Sequence, residues 1–155
     1  IEGLLAVAYS RGEGPGEVSA RQQAIVTLGK LRAVEGIGVL AREVPHSFPA
    51  HLWRRHPLDH YPAAWSLLQI GSPAVPAVLG RLNRDISQEE MHVIAWWVYS
   101  LDGKELGLSR LKLTAQSGKK LSDTGKRNVA RLIELYQSID FNDVRQWPRP
   151  PSQAK

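Results

Sequence analysis

Apolar residues recur along the chain at the spacing of helices. In residues 17–31, four apolar side chains fall at positions i, i+1, i+4 and i+7, which share one helical face. These are Ala24, Ile25, Leu28 and Leu31. No segment shows the strict apolar–polar alternation of a half-buried strand. The pattern therefore predicts an all-α fold, with helices over residues 1–10, 17–31, 33–43, 62–70, 73–82, 88–101, 106–113 and 124–139.

Proline, glycine and capping residues mark the ends of these helices. Pro73 suits the first turn of a helix, where its missing N–H costs nothing, and Ser72 is placed to cap that helix. Residues 87–90, Ser-Gln-Glu-Glu, have the form of a capping box, in which the final glutamate reaches back to the N–H of the cap residue. The helix that begins there is expected to stop at Asp102–Gly103.

Two segments are predicted to lack regular structure. Residues 44–60 hold three prolines and four of the five histidines, so we expect an irregular loop with at most one helical turn. Residues 140–155 also contain three prolines and are expected to be extended or disordered. The chain is thus predicted to form one helical domain over residues 1–139, followed by a tail over residues 140–155.

A helix–turn–helix pattern occurs three times. Ala24, Ala64 and Ala95 take equivalent positions in the first helix of each copy, with 40 residues between the first two and 31 between the last two. A turn and a second helix follow each of them. Spacing of this order is typical of proteins built from stacked two-helix repeats.

The second copy carries a family resemblance. Residues 68–79, Leu-Gln-Ile-Gly-Ser-Pro-Ala-Val-Pro-Ala-Val-Leu, resemble HEAT-like repeat proteins, especially the short bacterial type related to phycobilisome-lyase repeats, and residues 17–31 are similar to the first helix of such a repeat. The likeness covers residues 17–113. One departure is that the arginine which often precedes the packing alanine is present as Arg21 but is replaced by Tyr61 and His92 in the other copies.

The resemblance implies a fold and a class of function. The fold is a right-handed α-solenoid of about three HEAT-like hairpins with a flanking helix at each end. The implied function is protein–protein interaction without catalysis on an extended concave face. Some relatives bind nucleic acid, and a few act on chromophores or damaged bases.

Composition narrows the possible chemistry. The apolar content of 43% and charged content of 23% are ordinary for a globular domain. The absence of cysteine excludes disulfides, thiolate catalysis and thiolate metal sites. No apolar run is long enough to span a bilayer, and residues 1–9 are too short for a signal peptide. Because the chain begins with Ile1, we expect a trimmed or processed product; the compartment stays open.

Positive charge is concentrated in one region. Of the net charge of +5, residues 103–131 contribute +6, from eight basic and two acidic residues. This region predicts a second candidate function, the binding of nucleic acid or another polyanion, beside the alternative of a solvated helix face. The candidate polyanion-binding residues are Lys112, Lys119, Lys120, Lys126, Arg127 and Arg131.

Tryptophan supplies candidates for a protein-binding surface. Trp96 and Trp97 are adjacent on a helix and point about 100° apart, so we expect at most one of them to lie squarely in the core. The other would be an exposed anchor, since tryptophan is enriched at interface hot spots. The alternative is that both are partly buried between neighbouring hairpins. A similar aromatic and basic run occurs in the loop before the second copy. The candidate partner-binding residues are Trp53, Arg54, Arg55 and Trp97.

Signals for a metal or for catalysis are weak. His56 and His60 are four residues apart, but Pro57 lies between them, so a polar loop is favoured over a metal site. Asp102 after Trp96 is similar to the aromatic and aspartate pairing of HEAT-like DNA glycosylases, but no flanking motif matches. We therefore predict a protein without catalytic residues, metal or cofactor; a lyase-like enzyme acting on a chromophore is the remaining, disfavoured alternative.

Overall fold

The protein is built from helices joined by short turns. In the computed structural model, which describes residues 1–48, 55–117 and 120–150, all regular structure is helical, so the predicted all-α class is confirmed for these residues. Short 3₁₀ turns at Val34–Gly36, Ser72–Ala74, Arg81–Asn83 and Val144–Gln146 join or extend the helices. The helices are α1 (Glu2–Tyr9), α2 (Pro15–Lys30), α3 (Ile37–Arg42), α4 (Pro62–Ile70), α5 (Val75–Gly80), α6 (Gln88–Ser117) and α7 (Asp123–Ser138).

A bend at Gly103 divides α6 into two halves. Gly103 has φ 73° and ψ −179°, which is outside the helical region and is adopted readily by glycine alone. The predicted break between two helices is therefore present, although the backbone continues into the next helix without a loop. We refer to residues 88–102 and 104–117 as the first and second halves of α6.

The helix starts differ from the predicted caps in two places. Ser87 Oγ accepts a hydrogen bond from the Glu90 backbone N–H at 3.0 Å, as in a capping box, but the Glu90 carboxylate accepts from Arg81 Nε at 2.8 Å. The opposite charge of Arg81 is a stronger partner than the predicted backbone N–H. Ser72 is the first residue of a 3₁₀ turn, and Gly71, with φ 84°, takes the cap position.

The longer helices pack against each other in chain order. α1 contacts α2, α2 contacts α4, α4 contacts α6 and α6 contacts α7, while α3 packs on α4 and α5. α2 and α4 approach closely where Gly29 faces Ser66, and Ser66 Oγ donates a hydrogen bond to the Ile25 carbonyl at 2.9 Å. None of the helices in the described ranges combines the length and apolar character needed to cross a bilayer.

Both adjacent tryptophans lie in the core, which corrects the prediction that only one would. Trp96 and Trp97 are each 1% exposed. α6 is covered by α4 and by α7, so two directions about 100° apart both meet protein. Trp96 contacts Phe141 edge to face, with 4.8 Å between ring centroids.

The segment after α7 also packs on the core, which corrects the predicted boundary at residue 139 and the predicted tail. Phe141 is buried and stacks on Tyr99 with 4.0 Å between ring centroids. Trp96 Nε1 donates a hydrogen bond to the Gln146 carbonyl at 3.0 Å. These aromatic contacts outweigh the effect of the prolines, so the domain extends at least to residue 150, and residues 151–155 lie outside the described part.

Candidate interaction groove

A groove runs between α5 and the second half of α6. It consists of two adjoining hollows, of about 540 and 320 Å³, that share Leu79, Thr114 and Ser117. α5 and α6 make few direct contacts, so the groove is the space that their separation leaves open.

Each wall of the groove is one face of a helix. α5 contributes Val75 and Leu79, four residues apart. The second half of α6 contributes side chains at the three- and four-residue spacing of one helical face. They are Leu106, Ser109, Arg110, Leu113 and Ser117. The bend at Gly103 sets the direction of this half, and therefore the width of the groove.

Two leucines on the rim are exposed. Leu106 is 69% exposed and Leu113 is 64% exposed, and because they are seven residues apart they lie on the same side of α6, two turns from each other. Val75 and Leu79 are buried in the opposite wall. The groove thus has a buried apolar wall on α5 and an apolar rim on α6 that remains in water.

One end of the groove holds an ion pair. Arg110 donates two hydrogen bonds to Asp102, one from Nε to Oδ2 and one from Nη2 to Oδ1 at 3.0 Å. The hydrogen bond to Asp102 raises the pKa of Arg110 above its usual value. Arg110 therefore balances the negative charge of Asp102 and occupies both of its carboxylate oxygens. This pairing argues against a role for Asp102 as the aspartate of a glycosylase-like site.

The other end of the groove is mainly apolar and carries a few polar side chains. Lys120 lines it and is exposed. Asn83 lies beside it and connects two elements, because its Oδ1 accepts a hydrogen bond from the Ser122 backbone N–H at 2.9 Å. These contacts fix the segment before α7 against the turn that follows α5.

The two predicted partner-binding residues that the structure describes, Arg55 and Trp97, do not line this groove. Trp53 and Arg54 lie outside the described residues. Arg55 is exposed, and its backbone N–H donates to Asp59 Oδ2 at 2.6 Å. Trp97 is 1% exposed, so it is a core residue and the prediction of a surface anchor there is wrong.

The predicted polyanion-binding residues are divided among several surfaces. Lys120 lines the groove, whereas Arg131 lines a separate hollow with Glu134. Lys126 is 3.5 Å from Asp123, and Arg127 donates a hydrogen bond to Thr124. Lys112 is exposed on α6 but is not among the residues lining the groove, and Lys119 lies outside the described residues.

The exposed leucines of the groove were not predicted as site residues. The sequence pattern predicted one helix that contains Leu106, Leu108, Leu111 and Leu113. It did not distinguish the leucines that face the core from those that face the solvent. Leu111 is buried, and Leu106 and Leu113 are not. Leucines on two sides of one helix indicate two contact surfaces, and this signal could have identified the groove.

The arrangement around His56 is unsuited to general-base catalysis. His56 Nδ1 accepts a hydrogen bond from the Leu58 backbone N–H at 3.1 Å, which places the proton of the neutral ring on Nε2. Nε2 is 3.5 Å from Ser100 Oγ, so it faces the hydroxyl as a donor. Burial also lowers the pKa of His56. Among the described residues, no group of three His, Cys, Asp or Glu side chains converges as a metal site.

Comparisons of the chain with protein-family models, with curated proteins and with solved structures find no match. The function therefore has to be argued from the residues of the chain itself. The apolar groove and the charges around it are the features that bear on it most directly.

Proposed function

We propose that the protein is a non-catalytic interaction module that binds an amphipathic helix of another protein in the groove between α5 and the second half of α6. The observation that carries this proposal is the exposure of Leu106 and Leu113 on one helical face, across the groove from the apolar wall that Val75 and Leu79 form. Contiguous apolar surface of this kind on a globular domain commonly marks a site of association.

The proposed architecture is the HEAT-like solenoid that the sequence resembles. Its three hairpins would be α2 with α3, α4 with α5, and the two halves of α6, with α1 and α7 as the flanking helices. The chain-order packing of α2, α4 and α6 supports this assignment. In such an array the second helices line the concave face, and α5 and the second half of α6 are both second helices.

The dimensions of the groove suit a short helix. From Leu106 to Ser117 the second half of α6 rises about 17 Å, or about three turns. A helix that binds in a groove presents apolar anchors at positions i, i+3 or i+4, and i+7. Leu106 and Leu113 lie on the wall that such a helix would contact, and they are also seven residues apart. Burying these two leucines would contribute about 1.5–3 kcal/mol each.

The charges beside the groove favour an acidic partner. Two basic residues line the groove, Arg110 on the second half of α6 and Lys120 at the far end. Arg110 is already paired with Asp102, so the positive charge left at the groove is that of Lys120. We therefore propose a partner helix with one leucine-rich face and acidic residues on its flanks.

Polyanion binding is less well supported. A nucleic-acid surface needs basic groups that follow one phosphate backbone, and the basic residues here are distributed over the groove, α7 and a separate hollow. An apolar rim also offers nothing to a phosphate. Fluorescence anisotropy of labelled DNA at about 50 and 200 mM salt would test this alternative, and we expect no tight, salt-sensitive binding.

Designed peptides can test the groove without knowledge of the natural partner. The probe is a labelled helical peptide of about 14 residues with leucines on one face and glutamates elsewhere, measured by fluorescence anisotropy. Two peptides serve as comparisons, one with lysines replacing the glutamates and one with the same composition in scrambled order. We expect the acidic amphipathic peptide to bind most tightly.

Variants then locate the binding surface. The double substitution Leu106→Gln and Leu113→Gln should weaken binding at least about tenfold, because each leucine is buried only in the complex. Leu31→Gln is a matched control, since Leu31 is 58% exposed and does not line the groove. Equal binding by the double variant and the parent protein would refute the proposal. So would a homodimer, detected by sedimentation, that the double variant dissociates.

A further inference from the structure

A second hollow, of about 280 Å³, lies where the ends of α1 and α3 meet the middle of α2. Three arginines from different parts of the chain line it: Arg11 follows α1, Arg21 is in α2 and Arg42 ends α3. Because the three residues are far apart in sequence, it is the fold that brings their charges together.

Positive charge is in excess at this hollow. Glu43 is the one carboxylate among its lining residues, so three arginines and one glutamate leave a net charge of +2 when His46 is neutral. Glu43 is largely buried and accepts from His46 Nδ1 at 3.2 Å. The hydrogen bond from His46 keeps the pKa of Glu43 below its usual value, so the glutamate carries its negative charge near neutral pH.

One buried arginine donor at the hollow lacks a partner in the described part of the chain. Arg21 Nη1 donates to the Ser10 carbonyl at 3.3 Å, but Arg21 Nε is buried and has no hydrogen-bond partner among the described residues. A buried N–H without a partner is destabilising, and such groups are uncommon in folded proteins. An acceptor supplied by a ligand is one explanation for donors left in this state.

Among the described residues, the guanidinium of Arg42 is held in place without donating a hydrogen bond. It lies over the ring of Tyr9, with 4.6 Å from Cζ to the ring centroid. Its Nε is 3.7 Å from Glu43 Oε1, which is close enough for charge attraction but too long for a hydrogen bond. Tyr9 and Glu43 therefore position a guanidinium whose donors remain available.

We propose that this hollow binds a phosphomonoester dianion, which Arg11, Arg21 and Arg42 hold by charge-assisted hydrogen bonds. A dianion balances the net charge of +2. A phosphate group presents three acceptor oxygens in different directions, whereas a carboxylate presents one planar pair, so the phosphate better matches guanidinium groups that arrive from three elements. The volume admits the phosphate and a small attached group.

The test is a titration of the ¹⁵N-labelled protein, followed by NMR, with inorganic phosphate and with O-phosphoserine in low-salt buffer. We expect saturable shifts of the Tyr9, Ser10 and arginine signals that equal concentrations of chloride do not produce. Each phosphate ligand should also raise the thermal unfolding midpoint, because it binds the folded state. A phosphoserine peptide, titrated in parallel, distinguishes a phosphorylated protein, which would bind more tightly than phosphoserine, from a free small phosphate.

Substitutions assign the site. Arg11→Gln and Arg42→Gln change side chains that are partly or fully exposed, so the fold should be retained, and each should weaken phosphate binding at least about tenfold. Arg127→Gln, an exposed arginine on α7, removes the same charge elsewhere and should leave binding unchanged. Absence of saturable shifts, or an equal loss in Arg127→Gln, would overturn the proposal. The groove variants at Leu106 and Leu113 should bind phosphate normally, so this test is independent of the first.

Discussion

Gly29 on α2 and Ser66 on α4 approach so closely that only glycine fits at position 29. A Cβ added to Gly29 would lie 2.5 Å from the Cβ of Ser66 and 2.6 Å from its Cα. Because the Cα belongs to the backbone of α4, rotation of the Ser66 side chain would not relieve the clash. We expect Gly29→Ala to lower the free energy of unfolding by about 1–3 kcal/mol, the usual cost of overpacking, as measured by urea denaturation.

Gly38 on α3 provides the matched control for this substitution. It is exposed, and a Cβ there would have no neighbour within 4 Å. Gly38→Ala should therefore be neutral or raise the free energy of unfolding by up to about 1 kcal/mol, because alanine is the better helix former. If the two substitutions had the same effect, the close approach of α2 and α4 would not be the cause.

Phe141 tests whether the segment after α7 is part of the domain. Its ring is buried among Trp96, Tyr99 and Tyr136. We expect Phe141→Ala to lower the free energy of unfolding by about 3–5 kcal/mol, as for other buried aromatic residues. Val144→Ala changes a residue of the same segment that is 58% exposed, and it should cost less than about 0.5 kcal/mol. A small effect of Phe141→Ala would instead support the prediction that the segment after α7 is a tail outside the folded domain.

The helices were predictable because their signals are local. The apolar stripe of α2, with Ala24, Ile25 and Leu28 buried, follows directly from the periodicity of the sequence. Gly103 was expected to break α6, and it does so because it adopts a positive φ. The predicted helix boundaries differ from the observed ones where a capping contact was not recognised. α2 begins at Pro15 rather than at residue 17, because the Glu17 carboxylate accepts a hydrogen bond from the Gly14 backbone N–H at 3.2 Å.

The packing and the candidate groove were not predictable from the same signals. Burial of both Trp96 and Trp97 depends on elements that are distant in sequence and pack around α6, among them Phe141 after α7, and single-helix periodicity does not contain that information. The groove depends on how far α5 lies from the second half of α6, which is set by tertiary packing. The prolines near residue 150 suggested a tail. The contact between Phe141 and Tyr99 joins residues that are far apart in sequence, so no local pattern indicated that this segment packs on the core.

Arg81 and Glu90 form a largely buried ion pair that joins the turn after α5 to the start of α6. Arg81 Nε is 2.8 Å from Glu90 Oε1, and the Glu90 side chain is 4% exposed. Arg81→Met would leave the carboxylate buried without its partner, so we expect the free energy of unfolding to fall by about 3–5 kcal/mol. Lys126→Met breaks the exposed pair with Asp123 and should cost about 0.5 kcal/mol or less. Thermal or urea unfolding of both variants would show whether the buried ion pair contributes more to stability than the exposed one.

The pair of His46 and Glu43 should make stability depend on pH. The hydrogen bond to Glu43 raises the pKa of His46 above 6.5, and the hydrogen bond from His46 lowers the pKa of Glu43 below 4.5. The contribution of His46 is fully present below pH 6.5 and is lost as the pH rises through its folded-state pKa. The contribution of Glu43 is present above pH 4.5 and is lost as the pH falls through its folded-state pKa. The pair therefore stabilises the protein most between pH 4.5 and 6.5.

His46→Gln, measured in phosphate-free buffers by urea unfolding, isolates this effect. The difference in unfolding free energy between the parent protein and the variant should be largest near pH 5.5 and should shrink towards pH 8.5. It should stay below about 1 kcal/mol, because the His46 side chain is 58% exposed and solvent screens the pair. Burial lowers the pKa of His56, so that residue opposes folding in acid, but it is present in both proteins and its effect cancels in the difference. A difference that grows from pH 5.5 to 8.5 would contradict the assignment, since the positive charges of Arg21 and Arg81 near His46 would then outweigh Glu43.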